Sequence, residues 1–285
     1  MTSAEFQWKT PDGISIYAKN WPCPNPKAVI ALVHGLGEHC NRYEHVAQYF
    51  NQRDFAVLAY DRRGHGRSGG KRGHSPSVSL LLDEIGALLI ETQNRYPDVP
   101  VFLYGHSMGG NLVLAYTLKR HPNVKGVIAT APWIQLAFQP PPILVALAKV
   151  MRNIYPSMIQ RNNLKVEHIS RDQAVVEAYT KDPFVHDFIS AGLAAGMLET
   201  AAWLHAYTRP FPSPLLLMHG GSDQITSPIA SSAFSERVPG GITWRLWADY
   251  YHEIHNDPGK EDVFDLMIEW MNARLRFTES ATKSA

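Results

Sequence analysis

The residues best able to do chemistry sit in one short run, Gly105-His106-Ser107-Met108-Gly109, at the end of the apolar stretch "VFLY". A serine hydroxyl attacks an acyl carbon only after a base takes its proton, and that base works best when a carboxylate orients it. The pattern G-x-S-x-G puts such a serine on a sharp strand-to-helix turn, where the forced backbone leaves no room for a β-carbon at Gly105 or Gly109. Taken alone, the run also reads as an ordinary strand ending in a glycine turn. Its partners must come from later loops. Asp223, in "PLLLMHGGSDQITSP", is the candidate acid, although an aspartate just before a helix also serves as a turn or cap residue. For the base, "WADYYHEIHNDPG" offers His252 and His255. His252 stands nearer the end of the preceding strand and is the better placed, because His255 has moved toward the Asp257-Pro258-Gly259 turn. Serine, then aspartate, then histidine is the chain order that such elbow serines use.

Acyl transfer also builds negative charge on the carbonyl oxygen, and backbone N–H donors must face it. The N–H of Met108 is one candidate, because it follows the serine and opens a helix, where the first N–H groups have no helical acceptor. The second is the N–H of Leu36, in the loop "HGLGEH" after the run "ALVHG". His34 reads as a buried hydrogen-bonding residue rather than a catalyst. This chemistry calls for no cofactor and no metal.

These residues need a scaffold that delivers loops to one edge. "EFQWKT" and "ISIYAKNW" flank Pro11-Asp12-Gly13 and read as a hairpin. After it come near-continuous apolar runs, at 28–35, 55–61, 101–105, 124–132, 214–220 and 242–247, of the kind buried on both faces of a parallel sheet. Segments with helical periodicity lie between them, so the expected architecture is α/β, a doubly wound, mostly parallel sheet flanked by helices. In such sheets ligands sit beyond the carboxyl ends of the strands. His34-Gly35, Asp61, Ser107 and Asp223 all fall there. The rhythm breaks from Pro132 to about Arg209, an interval far longer than ordinary connections, and it reads as a helical cap inserted after the sixth strand. The expected organisation is therefore a core of 1–131 and 210–277, a cap of 132–209, and a disordered tail of 278–285.

Bulk properties exclude several other roles. With 285 residues, 45% apolar and 19% charged, the chain has the composition of an ordinary globular protein. Its net charge of +1, without blocks of like charge, gives no footprint for nucleic acid. Cys23 and Cys40 make neither a disulfide framework nor a zinc set and read as free thiols. The first residues carry no secretory pattern and no run is long enough to span a bilayer, so a cytoplasmic enzyme is expected. "GHGRSGGKRG" fails as a phosphate loop, because His65 stands where a glycine is required and Arg72 follows Lys71. "HEIH" is one residue short of the zinc-binding helix motif. Arg62, Arg63, Arg67, Lys71 and Arg72 read as a solvated turn with local ion pairs.

The set "HGLGEHCNRY", "YDRRGHGRSGGKRG", "GHSMGG", "HGGSDQI" and "YYHEIHND" resembles the monoglyceride lipase and lysophospholipase branch of the α/β-hydrolase family, from about Lys27 to Arg276 with the exception of the cap. The resemblance implies an eight-stranded sheet and a serine ester hydrolase that acts through an acyl-enzyme. Its triad would be Ser107, Asp223 and His252, with Leu36 and Met108 as oxyanion donors. The substrate would be a small lipid ester such as a monoacylglycerol, with lysophospholipase or broad carboxylesterase activity as the alternatives. A non-catalytic binding module is disfavoured, because every triad position is filled. Arg42 and His255 would line the polar end that receives the alcohol, unless Arg42 is a surface salt bridge and His255 a loop hydrogen bond. Leu36 is bulkier than the small residue expected at that place. The cap run "FQPPPILVALAKVM" either packs the lid onto the sheet or forms an apolar entrance that takes acyl chains through Ile143, Leu144 and Leu147 and leans on a lipid surface. Oligomeric state is left open by the sequence.

Overall fold

In the computed structural model, which describes residues 3–282 with side chains through 276, the chain opens with β1 (Ala4–Lys9) and β2 (Ser15–Trp21), joined through the expected turn at Pro11-Asp12-Gly13. Then follow β3 (Ala28–Val33), α1 (Glu44–Asn51), β4 (Phe55–Tyr60), α2 (Val78–Arg95), β5 (Val101–His106), α3 (Met108–Arg120) and β6 (Gly126–Thr130). The inserted segment contributes α4 (Pro142–Ile154), β7 (Ile159–Arg161), α5 (Gln173–Lys181), β8 (Phe188–Ser190) and α6 (Ala191–His205). The core resumes with β9 (Leu215–Gly220), α7 (Pro228–Arg237), β10 (Ile242–Trp247) and α8 (Lys260–Thr282).

Eight strands form one sheet in the order β1-β2-β4-β3-β5-β6-β9-β10, in which β2 alone runs against its neighbours. Every residue of β3, β4, β5, β6 and β9 is buried, which explains their unbroken apolar sequence: both faces are covered. On one face, Leu81 and Ile85 of α2, Leu112 and Val113 of α3 and Phe234 of α7 pack with the sheet. On the other, Val46 and Phe50 of α1 meet Val263, Phe264, Met267 and Met271 of α8, spaced to give that helix a single apolar face. From β3 the chain goes to β4 on one side, and β5 with the strands after it lies on the other. The carboxyl ends of β3 and β5 are thus the switch point of the sheet, where a crevice forms.

Several expectations change. The segment 132–209 is not wholly helical, because β7 and β8 pair antiparallel, Gln160 opposite Ile189. Leu193, Met197, Ala201 and Leu204 of its α6 join the same core cluster as the sheet. Such three-residue strands carry too little periodicity to be read in advance. The tail expected to be disordered at 278–285 continues α8 as far as Thr282, since a helix already nucleated on a packed face extends at small cost; 283–285 lie outside the described residues. The basic turn is solvated at Arg67, Lys71 and Arg72, as expected, but not at its first two arginines. Arg62 is 0% exposed and Arg63, at 3%, pairs with Glu84 and with Asp12 at 2.7 Å, whereas Arg67 does meet Glu5 at the surface. Cys23 and Cys40 are buried free thiols. Among the described residues, no helix is long and apolar enough to cross a membrane.

Candidate active site

Ser107 is the single residue between β5 and α3, and its backbone is at φ 54°, ψ −117°, a strained conformation for a side chain with a β-carbon. The surroundings hold it there. Its N–H donates to Thr130 O at 2.9 Å, and its carbonyl accepts from Asn111 N and Trp133 N, each at 3.0 Å. The flanking glycines are required by close approach. A β-carbon on Gly105 would fall on the Gly109 carbonyl and at 2.7 Å from Val113 Cγ2, and one on Gly109 would meet the Val33 carbonyl and, at 2.5 Å, His34 O. The turn thus packs α3 against the ends of β3 and β5.

His252 Nε2 lies 2.9 Å from Ser107 Oγ, and His252 Nδ1 lies 2.7 Å from Asp223 Oδ2. The Asp223 loop follows β9 and the His252 loop follows β10, so neighbouring strands deliver both side chains to the elbow. Asp223 is clamped. Its Oδ1 accepts the N–H groups of Ile225 at 2.7 Å and Thr226 at 3.0 Å, while His219 Nε2 and Thr226 Oγ1 approach Oδ2 at 3.0 and 2.9 Å. Burial would raise its pKa, but His252 and His219 hold the carboxyl well below the usual carboxylate range. For His252 burial opposes the charged ring, yet the Asp223 carboxylate outweighs it and lifts the pKa above the ordinary imidazole value. An imidazole so placed can take the Ser107 proton and keep the charge it acquires. His219 and Thr226 were not singled out in advance; the signal was a histidine four residues before Asp223 at the same strand end.

The inserted segment also braces the His252 loop. Glu253 N–H donates to Ile169 O at 2.7 Å, and Asp257 receives Arg171 N at 2.7 Å and Tyr251 N at 2.8 Å. On the opposite side, the turn 34–38 is fixed from behind. Gly35 N–H donates to Glu38 Oε1 at 2.5 Å, the buried Arg62 guanidinium reaches Gly35 O, and His34 Nε2 accepts Arg62 N–H at 3.1 Å. His34 is thus a buried hydrogen-bonding residue with its pKa well below ordinary, chiefly through burial. Among the described residues, no group accepts from the N–H of Leu36 or of Met108.

Two cavities meet at Ser107 and Leu36. One, of about 140 Å³, is apolar, with Trp133, Leu136, Leu144, Val145, Ala148 and Leu198 in its wall. The other, of about 380 Å³, is the more polar of the two: Glu38, Tyr179, Asp182, His252 and Glu253 border it, together with Leu164, Val166 and Ile169. Of the three cap residues expected to take acyl chains, only Leu144 lines the apolar cavity; Ile143, 76% exposed, and Leu147, 40% exposed, point away because the helical repeat carries them to the outer face. Arg42 stands behind the polar wall rather than in it. It holds Glu38 Oε2 at 2.7 Å and both oxygens of Glu253 at 2.7 Å, under the Tyr179 ring, as a buried ion pair. His255 is also out of the cavity, fully buried between Tyr43 and His106 with neither ring nitrogen hydrogen-bonded. The residues that do face the polar cavity, Glu38 and Glu253, were missed because a carboxylate in a loop usually marks solvent.

A serine, a histidine and an aspartate in hydrogen-bond sequence at the strand ends, on this sheet, define the class: an α/β-hydrolase of the serine ester hydrolase kind. The chain belongs to the family described as Serine aminopeptidase, S33, which matches residues 24–259. It is similar to a monoacylglycerol lipase of Mycolicibacterium smegmatis, 33% identical over 96% of this chain and 99% of the relative. An uncharacterized abhydrolase domain-containing protein of Dictyostelium discoideum is 39% identical over the whole of this chain, which spans 30% of that relative's length. Among solved structures, the monoacylglycerol lipase of Paleococcus ferrophilus superposes with a TM-score of 0.82 at 33% identity, covering 91% of this chain and 99% of the other.

Proposed function

We propose that this protein hydrolyses monoacylglycerol-like lipid esters, with Ser107 as nucleophile, His252 as general base and Asp223 as its orienting carboxylate. The observation that carries the reading is the position of Ser107 Oγ between an apolar chamber and a polar one. An ester carbonyl there would send its acyl chain one way and its hydroxyl-bearing alcohol the other. His252 Nε2 takes the Oγ proton as Oγ attacks the carbonyl carbon. The N–H groups of Leu36 and Met108 receive the oxyanion. Collapse breaks the ester bond, the His252 proton leaves with the alcohol, and water, activated by the same imidazole, releases the acid.

The segment 132–209 is the lid of this site. Ile143, Leu147, Val150 and Ile154 form an exposed apolar stripe along α4, on the opposite side from Leu144 and Ala148, and this stripe rests on the lipid surface from which substrate enters. Serine at Ile143, Val150 and Ile154 is expected to reduce liposome co-sedimentation while sparing turnover of a soluble short-chain ester.

The test is turnover of monoacylglycerols and p-nitrophenyl esters, with N-terminal aminoacyl amides in parallel, combined with fluorophosphonate labelling. Wild type is expected to cleave the monoacylglycerol and to label at Ser107, and Ser107→Ala to do neither. Cleavage of the amides without monoacylglycerol turnover would overturn the reading.

A further inference from the structure

The polar cavity is rich in acceptors and poor in counter-charge. Its wall holds Glu38, Asp182, Asp187 and Glu253 against one cation, Arg161, which is already paired with Asp187. Behind the wall, Arg42 is shared by two carboxylates that are 2% and 4% exposed, Glu38 and Glu253. Of the histidines facing the cavity, His106 and His186 add no positive charge at neutral pH, whereas His252, lifted by the Asp223 carboxylate, has its charge balanced by that partner. Burial pulls His106 down to about 3, and burial pulls His186 down to about 4. Burial raises Glu38, partly offset by Arg42, and a proton on that carboxyl would add a donor without adding a counter-charge. Each carboxylate has room for one more hydrogen bond. Glu38 accepts from Gly35 N, Tyr43 Oη and Arg42, and Glu253 accepts from both Arg42 amines and Asn256 Nδ2 at 2.8 Å.

A hydroxyl group fits such a wall, since it brings the proton that a carboxylate needs. A phosphate fits it poorly: Arg161, already paired with Asp187, and the neutral donors Asn162, Thr180 and Tyr179 stand against four carboxylates, and a buried charge with too little counter-charge is costly. Resting on the reading of Ser107 as the nucleophile toward acylglycerols, we propose that Glu38 and Glu253 form an electrostatic filter on the leaving group, admitting neutral hydroxyl-bearing alcohols and rejecting phosphorylated ones. The acyl chamber has no part in this choice. Lipids with the same chain but different headgroups are sorted at the polar cavity alone.

The experiment compares kcat/KM for 1-octanoylglycerol and for 1-octanoylglycerol 3-phosphate, below their aggregation concentrations, in wild type, Glu253→Gln and Glu38→Gln. p-Nitrophenyl octanoate serves as the reference rate for each protein. Wild type is expected to favour the neutral lipid by roughly a hundredfold or more, and either variant, which balances Arg42 with a single carboxylate, to narrow that ratio by about tenfold. A purely structural role would lower both rates together and leave the ratio unmoved. Comparable wild-type rates on the two lipids would overturn the filter while leaving the esterase reading intact, and so would an unchanged ratio in variants that still turn over the reference ester. Because comparable wild-type rates would by themselves overturn the filter, the test survives a variant that fails to fold. Turnover of the reference ester with none of 1-octanoylglycerol would overturn the acylglycerol reading and the filter with it.

Discussion

Asp223→Asn removes one charge and almost no volume, so its effect comes from the hydrogen bonds that this side chain makes. Oδ1 of Asp223 accepts two backbone N–H groups, from Ile225 at 2.7 Å and Thr226 at 3.0 Å. An asparagine must keep its carbonyl oxygen there, because turning the amide would point its NH2 at two donors. The NH2 therefore replaces Oδ2 and donates to His252 Nδ1, now 2.7 Å away. The remaining ring proton is forced onto Nε2, which faces Ser107 Oγ at 2.9 Å and can no longer accept from it. Loss of the correct tautomer in a triad of this kind costs about 10⁴ in kcat, or ~5.4 kcal/mol of barrier at ~1.36 kcal/mol per tenfold. The Asp223 carboxylate also lifts the His252 pKa, and turnover needs the neutral ring. The wild-type acid limb should therefore have its midpoint above that of a free imidazole. The assay is p-nitrophenyl octanoate hydrolysis across pH, with thermal unfolding to show that the variant is folded. A folded Asp223→Asn protein within tenfold of wild-type kcat, or with an unmoved acid limb in its residual activity, would refute the tautomer argument.

Other consequences are as specific. Gly109→Ala should cost about 3 kcal/mol or more in urea unfolding, because its β-carbon lands on the carbonyls of Val33 and His34, which are backbone and cannot rotate away. Ala148→Phe, built into the wall of the 140 Å³ chamber, should lower the dodecanoyl-to-butanoyl preference in kcat/KM by roughly tenfold, since each lost methylene contact is worth about 0.8 kcal/mol. An unchanged chain-length profile would move the acyl site elsewhere. Stability should fall on acidification. Burial holds His34, His65, His106 and His255 below the ordinary imidazole pKa, so from about pH 6.5 downward the unfolded chain binds protons that the folded one does not. The sign is that of a depressed pKa: these groups stabilise the fold above the unfolded value, and the gain is lost progressively as pH falls. The urea midpoint should be lower at pH 5 than at pH 7.5, and a flat profile would contradict the burial of these rings.

The sequence was most informative where local physics leaves one solution. The runs that became β3, β4, β5, β6 and β9 are apolar throughout because both faces are covered, and their order with the intervening helices implied the α/β sheet. The clearance at Gly105 and Gly109 could be anticipated because the elbow backbone needs it whatever surrounds it. His252 could be preferred over His255 because reach from a strand end is a local property.

What depended on long-range packing was not legible. A charged residue usually stays in water, so nothing in the local sequence says that Arg62 is fully buried, that the Arg42 side chain is only 9% exposed, or that Glu38 and Glu253 converge on one guanidinium from loops more than two hundred residues apart. The run 142–150 is aliphatic except at Lys149, and its docking against α6 turns Leu144 and Ala148 inward and Ile143 and Leu147 outward. The sequence by itself determined the sheet, the elbow and which side chains follow which strand ends. Only the tertiary structure decided which of those side chains touch, because contact between distant segments is set by packing, and the polar cavity beside Ser107 exists nowhere in the chain until its walls are brought together.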